Sequence, residues 1–109
     1  MDTCIFCKIA SGEISAQKTF EDENFIAFLD IHPKTPGHTL LIPKNHHPWV
    51  WDLPDGLFVQ LFETAKKLVP ELKRKTSADY VQLSVVGKDV PHAHVHLIPR
   101  KLDDNSVLP

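Results

Sequence analysis

One alternation near the C-terminus constrains this chain more than any other feature: Pro91-His92-Ala93-His94-Val95-His96-Leu97-Ile98-Pro99-Arg100-Lys101. In an extended backbone successive side chains point to opposite faces. His92, His94 and His96 therefore share one face, and Ala93, Val95 and Leu97 share the other. The apolar face has an obvious use in burial against a core. The imidazole face serves no stability purpose that simpler polar residues would not serve as well, which makes it a candidate site.

Strand geometry limits the chemistry of such a row. At a rise of about 3.3 Å per residue, His92 and His96 are anchored about 13 Å apart, with each about 6.6 Å from His94. Two neighbours can share one metal ion. Three cannot do so without a sharp bend, because Zn–N bonds are only about 2.0–2.1 Å long. A linear row suits a linear ligand, and a phosphate or polyphosphate chain is the natural candidate. The middle histidine then attacks phosphorus, and an outer one donates a proton or a hydrogen bond. An imidazole is largely neutral near pH 7, so this attack needs no metal.

The remaining chain frames this strand. Its 109 residues form one small domain, 1–109, with a polar, loose tail over about 103–109. The formal net charge is −2 and no long basic run occurs, which argues against nucleic acid as the main partner. No apolar run approaches 18–20 residues, so no membrane span is expected. The opening Met1-Asp2-Thr3-Cys4 lacks the basic and apolar regions of a signal peptide, pointing to a cytoplasmic protein.

Two strands are expected between Lys18 and Asp30, around an acidic turn at Glu21-Asp22-Glu23-Asn24, and a third over Thr39–Pro43. Asn45 to Pro54 is a loop whose Trp49 and Trp51 suit the core edge. Leu57, Leu61, Ala65, Leu68 and Leu72 recur at helical spacing, predicting one long helix from Asp55 to about Lys75. Pro70 should kink that helix or split off its last turn. A further strand covers Asp79–Val86. Runs of strands with one long helix give an α+β fold rather than a βαβ repeat. The helix's apolar stripe is wider than one sheet contact needs, and a dimer interface would use the surplus. Cys4-Ile5-Phe6-Cys7, in a reducing compartment, is either a metal half-site or a pair of free thiols.

The His-x-His-x-His pattern, followed by Pro99-Arg100, resembles the signature of the histidine-triad (HIT) family of nucleotide hydrolases and transferases. Cys4 to Ile14 is similar to the opening of many members, and the likeness runs from Cys4 to Arg100. It implies a HIT-like fold: about five antiparallel strands, one long helix and a short N-terminal helix, paired as a homodimer. It implies a phosphoramidase or nucleotide-phosphate hydrolase, in the Hint-like branch, acting on a nucleoside phosphoramidate or dinucleoside polyphosphate. The partner is then a purine nucleotide or nucleotide conjugate. His94 would be the nucleophile forming a nucleotidyl-histidine, assisted by His96, with His92 and His38 supporting. Asp30 would meet the ribose hydroxyls, Phe28 and Ile31 the base, and Lys88 and His96 the phosphates. Cys4, Cys7, His46 and His92 would hold a structural zinc ion. Ligation and orientation look difficult to combine in one imidazole, though the His92 carbonyl can still orient His94. His96 favours hydrolysis over nucleotidyl transfer, since related transferases usually carry another residue at that position.

The chain departs from its relatives before the triad. Many members carry an asparagine and a Gly-Gln-Ser or Gly-Gln-Thr segment that holds the phosphates. Val81 takes the place of the asparagine, and Lys88-Asp89 follow Gly87. Lys88 offers a charge to phosphate, whereas Asp89 facing the site would repel it. A nucleotide-binding or scaffolding protein with little turnover is the alternative that this change favours.

Overall fold

The computed structural model describes residues 4–104. Five strands form one antiparallel sheet in the order β1-β2-β3-β5-β4. They are β1 (Lys18–Glu21), β2 (Phe25–Leu29), β3 (Thr39–Pro43), β4 (Tyr80–Ser84) and β5 (Val95–Arg100). Helix α1 (Ile5–Ala10) precedes them, and α2 (Asp55–Thr76) connects β3 to β4 after a 3₁₀ turn at Val50–Asp52. The expected α+β fold, with its five-stranded antiparallel sheet, one long helix and a short N-terminal helix, is therefore the observed one.

The apolar side chains divide into two layers. Phe25, Ala27, Leu41, Val50, Leu53, Leu61, Ala65, Ala93, Val95 and Leu97 are buried together between α2 and one sheet face. Ile26, Phe28, Leu40 and Ile42 point to the opposite face, where Phe6 and Ile9 of α1 cover them. Strand alternation sets both memberships: β2 and β3 are buried on both faces, so they appear in sequence as nearly continuous apolar runs. Burying each of the large side chains contributes roughly 1.5–3 kcal/mol.

Helix α2 starts after Pro54 with Asp55 in its first turn. It ends at Ser77 in the left-handed conformation, φ 58°, with Lys73, Arg74 and Lys75 in its last turn. Pro70 does not split it: the helix is continuous through Thr76. Proline removes one backbone donor, but Leu68 and Leu72 on either side stay packed on the core. Beyond them Thr76 Oγ1 donates to the Leu72 carbonyl at 2.7 Å. The tryptophans differ from a simple core edge. Trp49 and Trp51 stack on each other, centroids 4.9 Å apart at 8°, while Val50 and Leu53 between and after them enter the core.

The histidine segment is the second departure. Strand β5 begins only at Val95, so His92 and His94 lie on the lead into it rather than within it. The Ala93 N–H is drawn out of the ladder to the His47 carbonyl at 2.5 Å. The expected alternation survives: Ala93, Val95 and Leu97 all enter the α2-side core. The tail is held by an Arg100 Nε–Asp104 Oδ2 ion pair of 2.7 Å, and residues 105–109 of the predicted loose segment lie outside the described residues.

Candidate active site

The three histidines share the face covered by α1. Phe6 meets His92 and His94 edge-on, at centroid distances of 5.9 and 5.1 Å, and also Phe28 at 5.5 Å. His94 and His96 are T-shaped to one another with centroids 5.0 Å apart. His92 and His94 are buried and His96 is half-buried, so the row runs from the interior towards solvent.

Each ring's partners determine its tautomer. His92 Nε2 lies 2.8 Å from the Pro43 carbonyl, so it carries the proton and its Nδ1 keeps a lone pair. His94 Nδ1–H donates to the His92 carbonyl at 2.7 Å, which leaves the lone pair on Nε2. The Lys34 N–H donates to His38 Nδ1 at 3.0 Å, so the His38 proton is on Nε2. That Nε2–H points at His96 Nδ1, 2.9 Å away, and His96 therefore carries its own proton on Nε2. The site thus presents a lone pair on His94 beside an N–H donor on His96. Burial, followed by the charges of His94 and His38, pushes His96 down to about 4 from the usual 6.5. Burial also lowers His92 to about 4 against the opposing pull of the Pro43 carbonyl, and it lowers His38 against that of Asp30. Burial and the neighbouring Cys4 push the Cys7 thiol up to about 11.

Position follows from neighbouring backbone. Gly37, at φ 89°, lets β3 begin against the end of α2, where an added Cβ would sit 2.5 Å from Thr76 Cγ2. His38 is the next residue. Gly87, at φ 75°, lies where a Cβ would come within 3.1 Å of the Trp49 ring, so the tryptophan pair backs the loop leading to the triad.

The four sequence-predicted metal ligands converge. Cys4 Sγ and Cys7 Sγ are each 3.4 Å from His92 Nδ1, and Cys7 Sγ is 3.2 Å from His46 Nδ1. All four ligand atoms lie within 4.8 Å of one another. Tetrahedral zinc places sulfur and nitrogen ligands about 3.6 Å apart, so this set fits the ion. The Pro43 carbonyl holds His92 with its lone pair facing the thiols, the arrangement that orients metal-bound imidazoles elsewhere. The two roles are compatible in His92, because its ring faces the thiol cluster while its backbone carbonyl accepts from His94 Nδ1–H. Asp30, His38 and His96 form a second cluster of this size. Its geometry suits a hydrogen-bond chain better, since Lys34 occupies His38 Nδ1 and forces the proton onto the nitrogen facing the other two.

The expected nucleotide contacts are distributed unevenly. Asp30 Oδ2 is 3.6 Å from His38 Nε2, and its Oδ1 accepts from the His32 N–H at 2.9 Å. Phe28 is buried beneath Phe6, whereas Ile31 is 83% exposed on the turn beside Asp30. Lys88 and Asp89 are exposed on the loop after Gly87. Val81 packs into the α2-side core, away from the histidine face, so it is not a neighbour of the triad. Sequence reasoning missed Phe6, Lys34 and Pro43. The last two act through backbone atoms, which no residue identity reveals.

A two-faced antiparallel sheet with a row of oriented imidazoles on one face defines a histidine-triad architecture. The HIT domain profile matches residues 11–103, and the chain belongs to the HIT family. It is 41% identical over 109 residues to adenosine 5'-monophosphoramidase HNT1 of Saccharomyces cerevisiae, covering 96% of this chain and 66% of that one. The crystal structure of SMU.412c from Streptococcus mutans superposes with a TM-score of 0.92 at 38% identity, covering 100% of this chain and 73% of that one. A Zn-bound histidine triad family protein from Mycobacterium smegmatis also gives 0.92, at 32% identity, covering 98% and 81%.

Proposed function

We propose that this protein hydrolyses nucleotide conjugates, a nucleoside phosphoramidate or a dinucleoside polyphosphate, through a covalent nucleotidyl-histidine. The observation that carries the reading is the tautomer pair: a lone pair on His94 Nε2 beside an N–H on His96. His94 Nε2 attacks the α-phosphorus. The P–N or P–O bond to the leaving group breaks, and the leaving atom takes up a proton from solvent water. Positive charge on the His94 ring is stabilised by the His92 carbonyl at Nδ1. His96 Nε2–H donates to a phosphoryl oxygen or the leaving atom. Water then attacks the phosphorus and loses a proton to solvent as the His94 Nε2–P bond breaks, releasing nucleoside monophosphate and restoring the neutral imidazole. Asp30 takes the ribose hydroxyls, Ile31 and Phe28 shape the base site, and Lys88 approaches the phosphates. The likeness to a named phosphoramidase supports this reaction class.

Cys4, Cys7, His46 and His92 hold a structural zinc ion in this reading, supported by the convergence of their ligand atoms. The protein is a cytoplasmic homodimer. Support for pairing lies at β4, the sheet edge, where Tyr80, Leu83, Val85 and Val86 on and beyond the strand are all about two-fifths exposed. Among the described residues no helix is long and apolar enough to cross a membrane.

Turnover of adenosine phosphoramidate, with intact-protein mass measured during the reaction, tests the assignment. A nucleotidyl adduct in the wild type that is absent from His94→Ala supports it; an active His94→Ala protein overturns it. Tight nucleotide binding with neither turnover nor adduct would instead favour a binding protein, the reading to which the Gly87-Lys88-Asp89 loop lends itself.

A further inference from the structure

A phosphorus centre under attack gathers negative charge on its non-bridging oxygens, and a site that stabilises it needs more than one aimed donor. The histidine face supplies one in His96 Nε2–H. Ser84 offers a second. It pairs with His96 in the β4–β5 ladder, and directly opposed residues of an antiparallel pair share a face with their Cβ atoms about 4.5–5.5 Å apart. His96 is thus flanked by Leu40 from β3 and by Ser84 from β4.

The hydroxyl is oriented by a chain of side chains on that same face. Arg100 Nη1 donates to Gln82 Oε1 at 2.6 Å, and Gln82 Nε2 donates to Ser84 Oγ at 2.9 Å. A guanidinium only donates, so the glutamine must turn its oxygen to Arg100 and its amino group to Ser84. Ser84 Oγ is then an acceptor within the chain, and its own O–H is directed elsewhere. Among the described residues Ser84 has no second hydrogen-bond partner. Successive bonds starting from a buried cation polarise one another, which makes the terminal O–H a better donor than an isolated serine. Asp104, 2.7 Å from Arg100 Nε, holds the far end of the chain. Ser84 is half-buried, so a ligand lying along the histidines can reach it.

We propose that Ser84 is a substrate-binding residue whose O–H donates to a non-bridging oxygen of the α-phosphate beside His96, with Gln82 and Arg100 as positioning residues. The inference rests on the nucleotide reading above and adds an α-phosphate donor on the neighbouring strand to Lys88 of the loop.

The test is calorimetric binding of AMP and of adenosine to wild type, Ser84→Ala, Ser84→Thr and Gln82→Leu. Adenosine has no phosphate, so it reports folding and the base and ribose contacts alone. Ser84→Ala is expected to weaken AMP roughly tenfold and to leave adenosine unchanged. Ser84→Thr restores most of the AMP affinity, and Gln82→Leu falls between. An Ser84→Ala protein that binds AMP within about twofold of wild type, or that loses AMP and adenosine equally, overturns the proposal. A wild type that binds neither compound overturns the nucleotide reading itself, and that result is distinct from a wild type binding both while Ser84→Ala matches it.

Discussion

The carbonyl oxygen of His92 accepts a 2.7 Å hydrogen bond from Nδ1–H of His94, while the His92 ring turns the other way, its Nδ1 3.4 Å from both Cys4 Sγ and Cys7 Sγ. One residue therefore ties the thiol cluster to the candidate nucleophile through a single peptide unit. Its Nε2–H, on the Pro43 carbonyl at 2.8 Å, fixes the ring with Nδ1 turned to the thiols. This arrangement places strong demands on individual side chains.

His94→Ala is expected to lower kcat on adenosine phosphoramidate by at least about a thousandfold, because the other unprotonated ring nitrogens of the triad, His92 Nδ1 and His96 Nδ1, face the thiols and His38. His94 packs edge-on against Phe6, so its loss leaves a small void. Thermal unfolding should show a modest drop in Tm, with the folded protein retained. A variant that keeps more than a tenth of wild-type turnover contradicts the assignment.

Removing the metal ligands separates structure from chemistry. Protein prepared without chelator is expected to carry about one zinc per chain by elemental analysis, and Cys7→Ser to carry far less. Cys4 caps α1 by accepting from the Cys7 N–H at 3.4 Å, so the cluster also holds that helix onto the sheet. The Tm of Cys7→Ser should fall by several degrees. Zinc-free wild type with an unchanged Tm would show that the cluster is only a thiol–imidazole contact.

Much of this was legible in the sequence because it rests on periodicity. Alternation over residues 92–97 placed three side chains in the α2-side core, and helical spacing from Leu57 to Leu72 placed α2. Cys4 and Cys7 announced themselves by spacing, and His46 and His92 by family likeness. What stayed hidden depends on register or on backbone atoms. That Ser84 faces His96 follows from a ladder that pairs residues twelve apart, and no local pattern encodes it. Lys34 acts through its N–H and Pro43 through its carbonyl, so their side chains carry no signal. The strand start at Val95 reflects a bond between Ala93 and His47, two segments distant in sequence. Pro70 did not split off the last turn, because packing of Leu68 and Leu72 on either side outweighs one missing donor.

His38→Ala should act on His96 at a distance from the nucleophile. It removes the donor that holds the His96 proton on Nε2, and the ring becomes free to present its lone pair instead. The expected loss in kcat is roughly a hundredfold, with the KM for the phosphoramidate changed far less. His38→Gln can restore the donor and should recover part of the rate. Equal losses from both variants would mean that His38 serves packing alone.

Pairing through the β4 edge should be sensitive to charge. Leu83 is 45% exposed on the strand, and Val85 and Val86 beyond it are 41% and 42% exposed. Leu83→Asp is expected to convert a dimer to a monomer in sedimentation at micromolar concentration, with little change in the monomer's circular dichroism. A wild type that already sediments as a monomer removes the interface.

Stability should fall on acidification over a window that His96 defines. Its native value is about 4, lowered first by burial and then by His94 and His38, against 6.5 for the ordinary imidazole. Between those two values the unfolded chain binds a proton at this position and the native chain does not. Stability therefore rises with pH across the window, is fully present above 6.5, and levels off below about 4 once both states are protonated. His96→Gln keeps an acceptor for His38 and a donor towards the ligand but does not titrate. Denaturant midpoints measured from about pH 7.5 to about pH 3.5 should fall less steeply for His96→Gln than for wild type. The gap accumulated at the acid end should be on the order of 2 kcal/mol, below the full shift because the ring is half-buried. The other depressed histidines, His92 and His38, retain their share of the slope in both proteins. Parallel curves for the two proteins would show that His96 titrates alike in the native and unfolded states and would remove burial as the reason it stays neutral.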